Sequence, residues 1–218
     1  HDALPILLVS YTVILCMGNG YTCDESNILS IIDRQLFGEA HLYQKSPIDP
    51  EGFVSTLSAI AHTCIGFSCG KWIIQSHQTE NKVLRLFLTG FILMSIGYLL
   101  ADALPLNKRI WSPTFVLVTC GAASMSLATL MYYIDIRNKQ KWCRFFIIFG
   151  VNPLFLYVLS EVLAIMMGST GWKAAAYAAI HSGITDAYLA SAVYALVFTL
   201  FLGCIGYPLY LKKIYIKL

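Results

Sequence analysis

The chain has 218 residues, of which 57% are hydrophobic and only 12% charged, with a mean hydropathy of +0.66 and a formal net charge of +3. Soluble domains carry about 25% charge, so this composition excludes a water-soluble globular protein. The fifteen Lys and Arg residues are dispersed along the chain without a basic cluster, which excludes a nucleic-acid surface.

The first apolar stretch, 3–17, follows His1 and Asp2 and is short for a crossing; it is read as a span whose start is clipped. It lacks the basic n-region and small-residue cleavage site of a signal peptide. Residues 18–51 then form a loop in which Ile28, Leu29, Ile31, Ile32 and Leu36 recur near helical spacing. This predicts a helix over 27–37, lying on the membrane or over a cavity. Five further apolar stretches, at 53–74, 86–104, 113–134, 145–167 and 187–211, approach or exceed the roughly 18 to 20 residues that cross a hydrocarbon core. The expected fold is therefore all-α: a polytopic transmembrane helical bundle of about six helices over residues 1–218, with no separate soluble domain. Small residues inside the spans, as at Gly66, Ser68 and Gly70 or Gly121, Ala122 and Ala123, suit close helix packing.

Orientation follows from basic residues, which resist translocation. With entry from the cytoplasm, the inside segments hold Lys71, Lys82, Arg85, Arg137, Lys139, Lys141, Arg144, Lys212, Lys213 and Lys217, and the outside segments hold Arg34, Lys45, Lys108, Arg109 and Lys173. This bias predicts a multi-pass membrane protein with a cytoplasmic C-terminus. The first outer loop carries Asp24, Glu25, Asp33, Glu39, Asp49 and Glu51, an acidic set able to attract a cationic substrate. Of the seven cysteines, Cys16, Cys64, Cys69, Cys120 and Cys204 fall within spans, Cys143 at a cytoplasmic edge, and only Cys23 outside. They read as small apolar fillers, not as a disulfide framework, and His62 near Cys64 and Cys69 has no familiar metal-ligand spacing.

Chemistry concentrates in three places. Asp49-Pro50-Glu51-Gly52 is a turn with two carboxylates directly before the second span, and by composition it is also an ordinary acidic helix start. Asn107, Lys108, Arg109 and Trp111 occupy the second outer loop, ahead of a helix opening at Pro113; Trp111 is equally an interface anchor. In the span 145–167, Asn152-Pro153 predicts a kink, and Tyr157 and Glu161, four residues apart, share one helix face. A carboxylate inside a membrane is costly and marks a partner or a cavity.

The segments Asp49-Pro50-Glu51-Gly52 with Ser55-Thr56, Leu106 to Val116, Asn152 to Val158 with Glu161-Val162, and the ending Tyr210 to Lys217 resemble, in this order, the heparan-alpha-glucosaminide N-acetyltransferase family. The likeness is to bacterial-type members and to the C-terminal part of the catalytic membrane domain. The family's arginine-containing first helix and its histidine-containing outer loop have no counterpart in this sequence. The resemblance implies acetyl transfer from cytoplasmic acetyl-CoA to the amine of a glucosamine-like sugar across the membrane, a bacterial inner membrane in this case. The implied catalytic candidates are Glu161, Asn107 and Tyr157, with Asp49, Glu51, Lys108, Trp111 and Asn152 as substrate-binding candidates and no metal. Implied partners are membrane lipid, the amino sugar and N-terminal helices of the same protein, with a homo-oligomer possible. A half-transporter for an amino sugar is the alternative, since broken helices and buried carboxylates also suit transport.

Overall fold

The structure, a computed structural model, describes residues 3–43, 46–75 and 78–216, and all regular secondary structure among them is helical. Lys45 and Lys217, two of the residues in the charge bias, lie outside the described residues. The chain divides into two compact units, His1–Asn138 and Lys139–Leu218.

The first unit contains α1 (Ala3–Met17), α2 (Ile28–Phe37), a short 3-10 turn (Glu39–His41), α3 (Thr56–Gln75), α4 (Thr79–Leu100) and α5 (Pro113–Met131). A wider turn, Tyr132–Ile136, extends α5. Pro113 opens α5 at a position where no intrahelical donor is needed, and the Ser112 hydroxyl caps it by accepting from the Phe115 amide. Helices α4 and α5 form an antiparallel hairpin joined through residues 101–112. Glycines bring their backbones together: a Cβ on Gly121 would sit 2.6 Å from the Gly90 carbonyl oxygen, and one on Gly90 would sit 2.7 Å from that of Gly121. Helix α1 packs on α3. Its Leu4 and Leu8 meet a core of Ile65, Leu86 and Val116, while its Tyr11 and Leu15 meet a second core of Leu29, Ile48, Val54 and Ile110.

The second unit contains α6 (Cys143–Val151), α7 (Pro153–Ser169), α8 (Trp172–Gly183) and α9 (Ala187–Leu211). The expected span 145–167, with a kink predicted at Asn152-Pro153, is two helices bent by 82° at Asn152. Pro153 lacks the amide that would carry α6 onward and restricts the residue before it, so Asn152 leaves helical geometry, with φ −135° and ψ 60°. Glycines of α9 receive this element: Gly203 lies against Phe149, and Gly206 against Ile148 and Leu156.

Four described helices, Thr56–Gln75, Thr79–Leu100, Pro113–Ile136 and Ala187–Leu211, are long and apolar enough to cross a membrane, and the bent pair makes a fifth if it counts as one span. Helix α1, with 15 residues, is shorter than a crossing. Phe87, Phe91, Leu99 and Phe67 are all exposed on these helices, which hydrocarbon tolerates and water does not. The chain is an integral membrane protein.

Candidate functional site

Helix α2 is the scaffold of one end of the first unit. Asn27, fully buried, caps it: its Oδ1 accepts from the Leu29 amide at 2.9 Å, and its Nδ2 donates to the Gly20 and Thr22 carbonyls at 2.9 and 2.8 Å. The helix forms where the spacing predicts, but only part of the apolar set turns inward: Leu29 is buried and Ile28 and Ile32 are half-buried, Ile31 and Leu36 are exposed, and two polar groups go in with Leu29. Ser30 donates to the Pro47 carbonyl at 2.6 Å. Asp33, only 1% exposed, accepts from the Phe53 amide at 2.8 Å through Oδ1, while its Oδ2 is buried without a hydrogen-bond partner among the described residues. Burial raises the Asp33 carboxyl above its ordinary range and Asp49 adds to the rise, against the Phe53 donation. Asp33 therefore does not share in an exposed acidic set, as its place in the acidic loop suggests; the inward face of α2 removes it from solvent.

The turn following α2 rests on that carboxylate. Asp49 builds it, with Oδ1 accepting from the Glu51 amide at 2.9 Å and Oδ2 from the Tyr43 amide at 3.0 Å. Gly52 lies so close beneath that an added Cβ would sit 2.2 Å from Asp33 Oδ2. Glycine is thus dictated by the buried acid. The Ser55 hydroxyl donates to the Gly52 carbonyl at 2.6 Å, and that of Thr56 to the Phe53 carbonyl, so α3 begins directly from the turn.

The loop between α4 and α5 reaches the same end. The Arg109 guanidinium donates to the Ser46 hydroxyl at 3.3 Å, Tyr11 donates its hydroxyl to the Ile110 carbonyl, and Ser58 donates to the Trp111 carbonyl at 2.6 Å. Asn107 Oδ1 accepts from the Arg109 amide at 2.9 Å, shaping the loop. Trp111 has φ +51°, costly for a bulky side chain. Its ring lies 5.8 Å from that of His62 and 5.4 Å from that of Phe115. Both Trp111 Nε1 and His62 Nδ1 are buried without hydrogen-bond partners among the described residues.

The structure therefore gathers Asp49, Glu51, Asn107, Lys108 and Trp111 on one unit, with Glu51 and Lys108 exposed and Asp49 engaged by main-chain amides. Beside them a concavity of about 850 Å³ is lined by Asp24, Glu25, Arg34, Glu39 and Tyr43. Arg34 pairs with Glu25 at 3.1 Å, and this hydrogen bond and charge hold the Glu25 carboxyl below its usual range. Asn152, Tyr157 and Glu161 belong to the second unit. Asn152 is 4% exposed; its Nδ2 donates to the Ile214 carbonyl at 2.9 Å, and its Oδ1 accepts from the Ile216 amide at 2.7 Å. Tyr157 and Glu161 share an exposed face of α7, and Glu161 has no ion-pair partner among the described residues.

Two known proteins match most of this chain. Heparan-alpha-glucosaminide N-acetyltransferase of Mus musculus is 27% identical over 204 residues, covering 86% of this chain and 30% of the relative; that of Homo sapiens is 28% identical over 204 residues, covering 86% and 29%. The relationship is distant. The chain spans about three-tenths of the length of these relatives. No protein-family model matches the chain.

Sequence reasoning passed over two residues that the structure brings forward. Asp33 was legible only as one acid in an acidic loop, although its spacing places it on the side of α2 that carries Leu29. Tyr21, whose buried hydroxyl also lacks a described partner and whose phenol is pushed up to about 12 by burial and by Cys16, had no signal at all. His62 packs its ring against that of Trp111, with its Nδ1 buried. Helix α8, Trp172–Gly183, lies between the stretches 145–167 and 187–211, where the sequence predicts no element.

Proposed function

We propose that this chain is the C-terminal part of a bacterial-type membrane N-acetyltransferase, which moves an acetyl group from cytoplasmic acetyl-CoA to the amine of a glucosamine-like sugar on the outer side. The observation carrying this reading is the match across 86% of the chain to two proteins named as N-acetyltransferases of heparan-alpha-glucosaminide. In this reading the C-terminus is cytoplasmic, the membrane is a bacterial inner membrane, and the α2 end of the first unit faces outward.

The chemistry is amine attack on a thioester. A C–N bond forms as the C–S bond breaks, and the proton leaving nitrogen ends on the departing CoA thiol. The chain's share is recognition and charge stabilisation. An ammonium or hydroxylated sugar suits the exposed Glu51 and the acidic concavity beside it. A tetrahedral oxyanion suits donors such as Lys108, Asn107 or Tyr157. Glu161 suits orienting the proton-accepting group, which in this reading lies in the N-terminal helices. Phosphates of the donor suit cations such as Lys82, Arg85 and Arg137, at the end of the α4–α5 hairpin remote from Asn107.

The test is acetyl-CoA consumption by the purified full-length protein with and without glucosamine. Glucosamine-dependent release of free CoA, with N-acetylglucosamine as product, upholds the reading. A second reading, an amino-sugar transporter, is favoured by the 82° break at Asn152, since broken helices line transport sites. Glucosamine uptake into vesicles without acetylation would replace the first reading by the second.

A further inference from the structure

We propose that Asp33 is a positioning residue of the outward site: from the buried face of α2 its carboxylate sets the Asp49–Phe53 turn, and so aims Glu51 at the acceptor amine. The inference rests on the acyltransferase reading for the identity of the acceptor, and on the structure for its geometry.

Three observations converge on this role. Asp33 is 1% exposed, so it meets no substrate directly, yet a buried carboxylate costs free energy unless something requires it. One oxygen is spent on the Phe53 amide at 2.8 Å, the residue that ends the turn, 20 positions along the chain. The other packs against Gly52, where any side chain would collide with it. Between these two contacts and the Asp49 capping bonds, the backbone on both sides of Glu51 is fixed, while the Glu51 side chain is exposed. A site held this way keeps its exposed group directed before a ligand arrives, which lowers the ordering cost of binding. An apolar residue at 33 would fill the same space but would leave the Phe53 amide without its acceptor.

The experiment uses the full-length protein in detergent and compares wild type with Asp33→Ala, Asp33→Asn, Glu51→Gln and the double variant Asp33→Ala/Glu51→Gln. Hydrogen exchange at the Phe53 amide reports the geometry, and KM for glucosamine against KM for acetyl-CoA reports the site. The expected results for Asp33→Ala are faster exchange at Phe53 and a glucosamine KM raised about tenfold, as for loss of a charge-assisted contact. KM for acetyl-CoA stays unchanged. Asp33→Asn, which keeps an oxygen for Phe53, restores the glucosamine KM to near wild type. Once Asp33 is lost, Glu51→Gln adds little, because both act through one contact.

Unchanged Phe53 exchange in Asp33→Ala overturns the proposal, as does a parallel rise in both KM values, the mark of general damage. If wild type turns over no acetyl-CoA with glucosamine, the acyltransferase reading fails by itself. Glucosamine binding, measured calorimetrically, then decides for Asp33: weaker binding by Asp33→Ala upholds its positioning role, and equal binding or none by wild type ends it.

Discussion

Asn152 holds the main chain of Ile214 and Ile216 with both ends of its amide, donating at 2.9 Å and accepting at 2.7 Å across more than 60 residues of sequence. The side chain is 4% exposed, whereas Ile214 and Ile216 are themselves exposed, so the buried amide ties down an otherwise open stretch of chain. Such a pair makes Asn152 a fastener of the second unit, whatever else it does.

Asn152→Ala is accordingly expected to cost about 1–2 kcal/mol, because it removes both hydrogen bonds that tie Ile214 and Ile216 to the buried side chain. A melting curve of the purified protein in detergent measures it. Specific activity at low temperature, corrected for folded protein, should stay near wild type; loss of activity without loss of stability would assign Asn152 to substrate instead.

Gly52→Ala tests the contact under the turn. The new methyl group would meet Asp33 Oδ2 at 2.2 Å, a distance no side chain tolerates, so the turn must move at a cost of about 1–3 kcal/mol. Combining it with Asp33→Ala removes the colliding atom. The double variant should then be less destabilised than the sum of the two single changes, as melting temperatures will show.

Gly121→Ala attacks the α4–α5 hairpin where there is nothing flexible to give way. Its Cβ would lie 2.6 Å from both the Gly90 carbonyl oxygen and the Met94 amide nitrogen, which are backbone atoms. Helices must separate, and about 1–3 kcal/mol of stability is expected to be lost. Gly66→Ala, where no atom lies within 4 Å of the added methyl group, serves as the control and should melt like wild type.

Asp33 carries a pH signature whose sign is opposite to that of a paired carboxylate. Its folded pKa is raised above the ordinary 3.8, chiefly by burial, so the native state holds its proton more tightly than the unfolded state. This contribution is therefore present below the ordinary value and is lost as pH rises through the raised one. The titratable groups that bear on it are Tyr11, on α1, and Asp49, whose carboxylate adds to the rise. Relative to wild type, Asp33→Asn should become progressively more stable as pH rises above the ordinary 3.8 and through the raised value. A stability difference that is flat with pH would show that Asp33 titrates as an ordinary exposed acid.

Glu161→Gln tests the exposed face of α7. The side chain has no described ion-pair partner, so its loss should leave the melting temperature unchanged. In the acyltransferase reading, turnover should fall by about a hundredfold or more, the usual range for a group serving proton transfer. Normal turnover removes Glu161 from the reaction.

Much of this architecture was legible because membrane helices announce themselves by length and by absence of charge. Helices α3, α5 and α9 begin or end within a few residues of the stretches that predict them, and the apolar recurrence from Ile28 to Leu36 foretells α2. Pro153 predicts a kink, and the structure turns it into an 82° break, since an angle depends on what receives the second half. Helix α8 was hidden because alanines and glycines between Gly168 and Gly183 show little amphipathic contrast. At the candidate site, the exposed carboxylate and lysine of the two loops were visible as chemistry. The support beneath them was not, because Asp33 reads as one acid among six until the face it occupies is known. Trp111 likewise gives no sign in sequence of its positive φ, nor of the Ser58 bond to its carbonyl and the aromatic rings packed against its own.

The break at Asn152 also bears on how the protein is made. Neither α6, with 9 residues, nor α7, with 17, reaches the roughly 20 apolar residues that a single crossing requires. As they leave the ribosome they can partition into lipid only together. The amide that locks their bend finds its partners 62 and 64 residues later, beyond the whole of α9. The bend is thus sealed only when the last helix has been delivered, so a chain arrested before Ile214 would hold this element without its clasp.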